Sequence, residues 1–169
     1  METGLRSCTV ASPLGELLLI ASQKGLVEVF LPSSKGVPAT TSEKHDPSYG
    51  CLPEARSQLR DYFAGALQSF DLPLDVSGSP FQLSVWQALT TIPFAETRSY
   101  GEIASAVGAD PMVASRAVGM ANGANPVAIV VPCHRVIGAD GDLVGYAGGL
   151  HAKRWLLDHE AKTAGTVLF

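Results

Sequence analysis

The residues with the clearest capacity for chemistry lie in the stretch VVPCHRVIG, residues 130–138, where an apolar run stops at a proline and presents Cys133, His134 and Arg135 in succession. A cysteine becomes a nucleophile when a nearby base or positive charge favours its thiolate, and both are adjacent here. Pro132 fixes its own φ and restricts Val131 to extended geometry, so the thiol is held on stiff backbone. Neighbouring side chains on a strand point to opposite faces. Cys133 and His134 therefore cooperate only where the chain turns or a water bridges them. An imidazole base works better with a carboxylate to orient it, and Asp140, Asp142, Asp158 and Glu160 are the candidates within the same domain. Spacing does not choose among them, and an isolated Cys-His pair is more often inert than catalytic.

The elements around this stretch read as mainly helical. FQLSVWQALTTI places Phe81, Val85, Trp86, Leu89 and Ile92 on one face, and Pro93 ends the helix. Ser99 with Glu102 three residues on is a capping box. Asp110 before Pro111 is a second start signal, for the helix PMVASRAVGMAN. Two short helices joined at GADP have the dimensions of a helix-turn-helix. The second is built largely of Ala, Ser and Gly, which suits either close packing inside the domain or close approach to a DNA groove. Composition alone favours packing. AIVVP reads as a strand, ADGD as a turn, GYAGGL as a glycine-rich loop, and HAKRWLLDHEAKTAG as a last helix.

Upstream, SCTVASPLGELLLIASQKGLVEVFLP has two apolar runs bounded by turn residues, as an antiparallel sheet requires. A polar loop, SSKGVPATTSEKHDPSYG, precedes the helix PEARSQLRDYFAG, with Ala55, Leu59, Tyr62 and Phe63 at helical spacing. DLPLDVSGSP is the natural linker. The expected organisation is α+β: a small N-terminal α/β domain over residues 1–78 and a mainly helical domain over 79–169.

With 169 residues, 46% hydrophobic and 17% charged, the chain can bury a real core. No apolar stretch reaches the roughly 18 residues of a membrane span, and METGLRSCTV lacks the order of a signal peptide, so an intracellular, cytoplasmic protein is expected. Three cysteines without CxxC spacing suggest neither a disulfide framework nor a zinc cluster. A net charge of −4 argues against nonspecific coating of nucleic acid. The average hides one region, however: residues 111–139 contain no Asp or Glu but include Arg116 and Arg135.

The string NPVAIVVPCHRVIGADGDLVGYAGGLHAKRWLLDHE resembles the active-site region of the O6-alkylguanine-DNA alkyltransferases, also called methylated-DNA-protein-cysteine methyltransferases, whose signature is PCHRV. The resemblance extends through VWQALTTIPFAETRSYGEIA and ASRAVGMANGANP, and more weakly through SPLGELLLIAS and LRDYFAGALQSFDLPLD, so it spans nearly the whole chain. It implies a ribonuclease H-like N-terminal domain and a winged-helix-like C-terminal one. The implied activity is irreversible, single-turnover transfer of an alkyl group from O6-alkylguanine, and also from O4-alkylthymine, in duplex DNA to Cys133 after base flipping. By resemblance His134 is the base through water and Glu160 its orienting partner. Tyr100 donates to the leaving guanine, and Asn125 ties the recognition helix to the active-site strand. Arg116 fills the gap in the base stack, flanked by Ser115 and Ala117 at the DNA. Tyr146, Ala147, Val136, Pro132 and Met120 wall or read the pocket. No cofactor and no metal is implied, and the partner is double-stranded DNA met by a monomer that can bind cooperatively.

Three features depart from the family pattern: Ala95 stands where relatives have glycine, Ala147 where some have serine, and the segment between Tyr100 and Arg116 is slightly longer. The first is expected to stiffen a turn. Two other functions fit parts of the pattern. A lesion sensor that flips bases without repair would lack Cys133, and a thiol hydrolase using Cys133, His134 and Glu160 would have no need of a helix-turn-helix.

Overall fold

The computed structural model describes residues 4–32 and 43–165. It divides into two compact units, Met1–Val76 and Ser77–Phe169. Part of the polar loop, residues 33–42, and the C-terminal tail beyond 165 lie outside the described residues.

In the first unit the two apolar runs resolve into three strands, β1 (Arg6–Ser12), β2 (Gly15–Ala21) and β3 (Leu26–Phe30), with a short β4 (Lys44–His45). The sheet order is β3-β2-β1-β4. The β1–β2 and β2–β3 pairs are antiparallel, but β4 runs parallel to β1, so the expected antiparallel sheet is mixed at one edge. Alternation along β1 and β2 turns Cys8, Val10, Leu17 and Leu19 into the core. Helix α1 (Leu52–Phe63) covers them with Leu52, Ala55, Leu59 and Tyr62, whose spacing gives one apolar stripe. The linker is not loose throughout. Leu26 N–H donates to Pro73 O and Asp75 N–H to Leu26 O, which pins residues 73–75 to β3.

In the second unit α2 (Pro80–Leu89) starts at a capping box in which Ser79 and Gln82 satisfy each other's backbone. It buries Val85, Trp86 and Leu89, and Trp86 Nε1 donates to Ala121 O at 2.8 Å, joining it to a later helix. Helix α3 (Tyr100–Ala106) begins at the Ser99–Glu102 capping box, and α4 (Pro111–Gly123) at Asp110, whose carboxylate accepts from Met112 N–H. These two pack as the helix-turn-helix. Strand β5 (Arg98–Ser99) pairs in parallel with β6 (Val136–Ile137), and α5 (Leu150–Thr163) closes the unit. Among the described residues no helix is long and apolar enough to cross a membrane.

One expectation fails in an informative way. AIVVP is not a strand: Ala128 and Val131 form an isolated bridge around a turn in which Ile129 adopts φ 73°. Cys133–Arg135 then wind into a single 3-10 turn. Left-handed backbone at a β-branched residue is costly and persists where surrounding contacts over-determine it. Ile129 is buried, which supplies such contacts.

Candidate functional site

The 3-10 turn changes what Cys133 and His134 can do together, because consecutive residues of a turn no longer point to opposite faces as they would on a strand. Cys133 is 5% exposed, and His134 and Glu160 are fully buried. Of the four candidate carboxylates, Glu160 on α5 is the one that reaches the imidazole: His134 Nε2 lies 2.7 Å from Glu160 Oε2. Glu160 is fully buried and does not face solvent. Arg135, expected from the sequence as a positive charge beside the thiol, instead grips the same carboxylate. Its Nε donates to Glu160 Oε1 at 2.8 Å and its Nη2 to Oε2 at 3.0 Å. Its Nη1 donates to Ile92 O at 2.8 Å, and its guanidinium lies 5.6 Å from the centre of the Phe94 ring.

Glu160 Oε1 accepts one further bond, from Ala95 N–H at 3.2 Å. Ala95 has φ 66°, the left-handed conformation that glycine adopts without strain. The residue thus keeps a glycine-like geometry despite its Cβ, and that geometry directs its N–H at the carboxylate.

These contacts set the ionisation states. Burial would push Glu160 up, but the hydrogen bonds and charges of His134 and Arg135 outweigh it and hold the carboxyl below its ordinary range. Burial lowers His134, against the raising effect of Glu160, so the imidazole is neutral near pH 7. A carboxylate can only accept, so neutral His134 carries its proton on Nε2, and Nδ1 keeps its lone pair. Nδ1 is buried and has no hydrogen-bond partner among the described residues. The relay therefore presents a basic nitrogen next to the cysteine in sequence.

Burial raises the Cys133 thiol above its ordinary value, and the Asn125 amide and the Lys153 ammonium pull the other way. The Tyr146 hydroxyl, buried and also without a partner of good geometry, lies close enough to the thiol that each shifts the other's ionisation. Free of substrate, the group is a protected thiol that needs a base.

Two asparagines tie α4 to the cysteine segment. Asn125, just past the helix end, donates to Val131 O at 2.8 Å and accepts from Val127 N–H at 3.1 Å. Asn122, absent from the expectations, donates to Cys133 O at 3.2 Å from the last turn of α4. Together they bracket Pro132, which is buried. Lys153 was also missed. It is fully buried, and its Nζ donates to Val136 O at 2.6 Å and Val144 O at 3.0 Å. Tyr100 Oη donates to the same Val144 O at 3.1 Å. Nothing in the sequence marks Asn122, and Lys153 is marked only by its helical spacing with the buried Leu156 and Glu160.

The remaining candidates divide between the exposed face of α4 and the surroundings of the cysteine segment. Arg116 and Ala117 are exposed on α4, while the Ser115 hydroxyl is turned back onto Pro111 O. Met120, expected at the pocket, is 73% exposed on the same helix, with Met112 at 92% and Val113 at 79%. Ala147 is exposed, and Val136 is buried with its carbonyl held by Lys153. Cys8 is buried in the first unit and Cys51 half-buried, both free thiols.

Comparison with known proteins agrees with this geometry. Residues 5–76 match the ribonuclease-like domain and residues 80–162 the DNA binding domain of 6-O-methylguanine DNA methyltransferase. The chain is 50% identical over 156 residues to the methylated-DNA--protein-cysteine methyltransferase of Mycobacterium bovis, covering 92% of each. It is 45% identical over 158 residues to the constitutive enzyme of that name from Bacillus subtilis, covering 90% of this chain and 93% of the other. A crystal structure of the Mycobacterium tuberculosis protein in complex with DNA superposes with TM-score 0.86 at 48% identity, over 94% of both chains. With both domains matched in order and half of all residues identical across nine-tenths of its length, the chain belongs to the 6-O-methylguanine DNA methyltransferase family.

Proposed function

We propose that the protein repairs alkylated DNA directly, by moving the alkyl group from O6 of a guanine in double-stranded DNA onto Cys133. The observation that carries this reading is the buried relay His134, Glu160, Arg135, which orients a neutral imidazole on the residue that follows the protected thiol of Cys133. His134 Nδ1 takes the thiol proton through a bridging water, and Glu160 stabilises the imidazolium that forms. The sulfur attacks the alkyl carbon in line, the C–O bond breaks, and the electron pair leaves with guanine O6. Tyr100 donates a hydrogen bond as charge develops on the departing base.

The target base is stacked in the duplex and must be flipped out first. Arg116 on the exposed face of α4 fills the space left in the stack. Ser115 and Ala117 keep that face shallow, so the helix can approach the backbone closely. Tyr146, Ala147, Val136 and Pro132 form the pocket around the extruded base, and Asn125 holds the helix to the cysteine segment. O4-alkylthymine presents the same alkyl ether to the thiolate. The product is a thioether. Unlike an acyl thioester it offers water no activated carbonyl, so each molecule acts once, as a monomer.

Incubation with a duplex containing O6-methylguanine, followed by peptide mass analysis, tests the reading. One added methyl on the Cys133 peptide, saturating at one per chain, is the expected result. Unmodified protein that stays bound to DNA would indicate a lesion sensor, and unmodified protein that releases product repeatedly would indicate a hydrolase.

A further inference from the structure

Val144 O lies in the loop between β6 and α5 and accepts two hydrogen bonds at once, from Tyr100 Oη at 3.1 Å and from Lys153 Nζ at 3.0 Å. In the free protein, then, the phenol hydrogen assigned above to the departing base is already in use. A hydroxyl has one hydrogen to donate. For Tyr100 to serve the base it must leave Val144, a residue 45% exposed, and loss of that bond carries a cost unless another donor holds the carbonyl. Lys153 removes that cost, because its ammonium stays on Val144 O while its second bond, 2.6 Å to Val136 O, fixes it to the segment three residues past the nucleophile.

We infer that Lys153 is a positioning residue which frees Tyr100 for the flipped base by holding Val144 O in its place. The inference rests on the proposed function and adds to it a hand-over of one hydrogen bond. Before binding, Tyr100 and Lys153 both hold the pocket loop. On binding, the tyrosine turns its hydroxyl to the base, and the lysine alone keeps the loop carbonyl satisfied. No proton is transferred in this exchange. Lys153 touches neither base nor sulfur through its hydrogen bonds, and it has donors enough for both carbonyls throughout.

A double-mutant cycle on the full-length protein separates this role from simple structural support. The single-turnover rate of methyl transfer from an O6-methylguanine duplex is measured for wild type, Tyr100→Phe, Lys153→Met and the double variant, with duplex affinity measured alongside. Without the ammonium, Tyr100 can serve the base only by abandoning Val144 O. The loss caused by Tyr100→Phe should therefore be smaller in the Lys153→Met background, by about tenfold. Duplex affinity should stay within about twofold, and Lys153→Arg, which can still donate to both carbonyls, should restore most of the rate. Additive losses would overturn the inference, as would a Lys153→Met defect confined to affinity.

If Lys153→Met does not fold, nuclear magnetic resonance of the Cys133→Ser protein decides. Adding the lesion duplex should shift the Val144 carbonyl carbon while the Lys153 ammonium stays protected from exchange, and an unchanged Val144 carbonyl would overturn the hand-over. Absence of any methyl on wild-type Cys133 would instead remove the function reading itself, and the inference with it.

Discussion

At the scale of single residues, Glu160 decides what the site can be. One carboxylate accepts from His134, from Arg135 twice and from the Ala95 backbone. A buried ion pair of this kind gives little net stability, but removing one partner leaves an uncompensated charge. Glu160→Ala should accordingly destabilise the protein by about 3–5 kcal/mol, read by denaturant unfolding. Glu160→Gln keeps the shape but can donate to the imidazole and favour the wrong tautomer, so methyl transfer should fall by about tenfold or more with duplex binding retained. Cys133→Ser should abolish transfer and leave duplex affinity within about twofold.

The same group sets a pH dependence. The folded-state values of His134 and Glu160 both lie below their ordinary 6.5 and 4.5, so the unfolded chain takes up protons first as pH falls. Stability present at neutral pH is therefore lost on acidification, from His134 beginning near 6.5 and from Glu160 beginning near 4.5. Thermal unfolding between pH 7 and 4 should show this decline, and Glu160→Gln should flatten its more acidic part. An equally steep decline in the variant would assign the acid sensitivity elsewhere.

At the scale of elements, local signals and long-range ones separate cleanly. The capping boxes at Ser79 and Ser99 and the Asp110 cap act within one turn of chain, so they are readable from adjacent residues, whereas α2 ends at Leu89, one turn before the stop expected at Pro93. Ser99→Ala should cost about 1 kcal/mol of stability. The turn from Val127 to Arg135 is different. Its apolar β-branched sequence favours a strand, and tertiary contacts from Asn122, Asn125 and buried Ile129 override that preference. The partner of Arg135 and the role of Lys153 are illegible for the same reason: the groups they bind lie 25 and 17 residues away. His134 and Glu160 were legible through resemblance, since spacing left four carboxylates open. The expected stiffness at Ala95 takes the form of a left-handed alanine. Ala95→Gly relieves about 1 kcal/mol of backbone cost and adds a comparable entropic cost in the unfolded chain. Stability should hardly move, while the more demanding Ala95→Val should lower both stability and transfer.

At the scale of the whole molecule, a net charge of −4 is compatible with membership of a DNA-binding family, because the DNA contact proposed above is confined to one local surface. Residues 111–139 carry no carboxylate, and α4 offers Met112, Val113 and Met120 to its surroundings along with Arg116. Few cations imply few displaced counterions. Duplex affinity should fall less steeply with salt than that of proteins making 6–10 phosphate contacts, whose affinity drops by about three to five orders of magnitude between 50 and 200 mM. A decline of that size here would place more of the basic surface at the DNA.

The burial of Cys133 has a last consequence. A reagent consumed by its first reaction must survive the time between synthesis and use. Peroxides and free electrophiles attack accessible thiolates, and a thiol 5% exposed and held protonated offers them little. The shelter that makes the sulfur a poor nucleophile at rest is what gives the unreacted protein its shelf life.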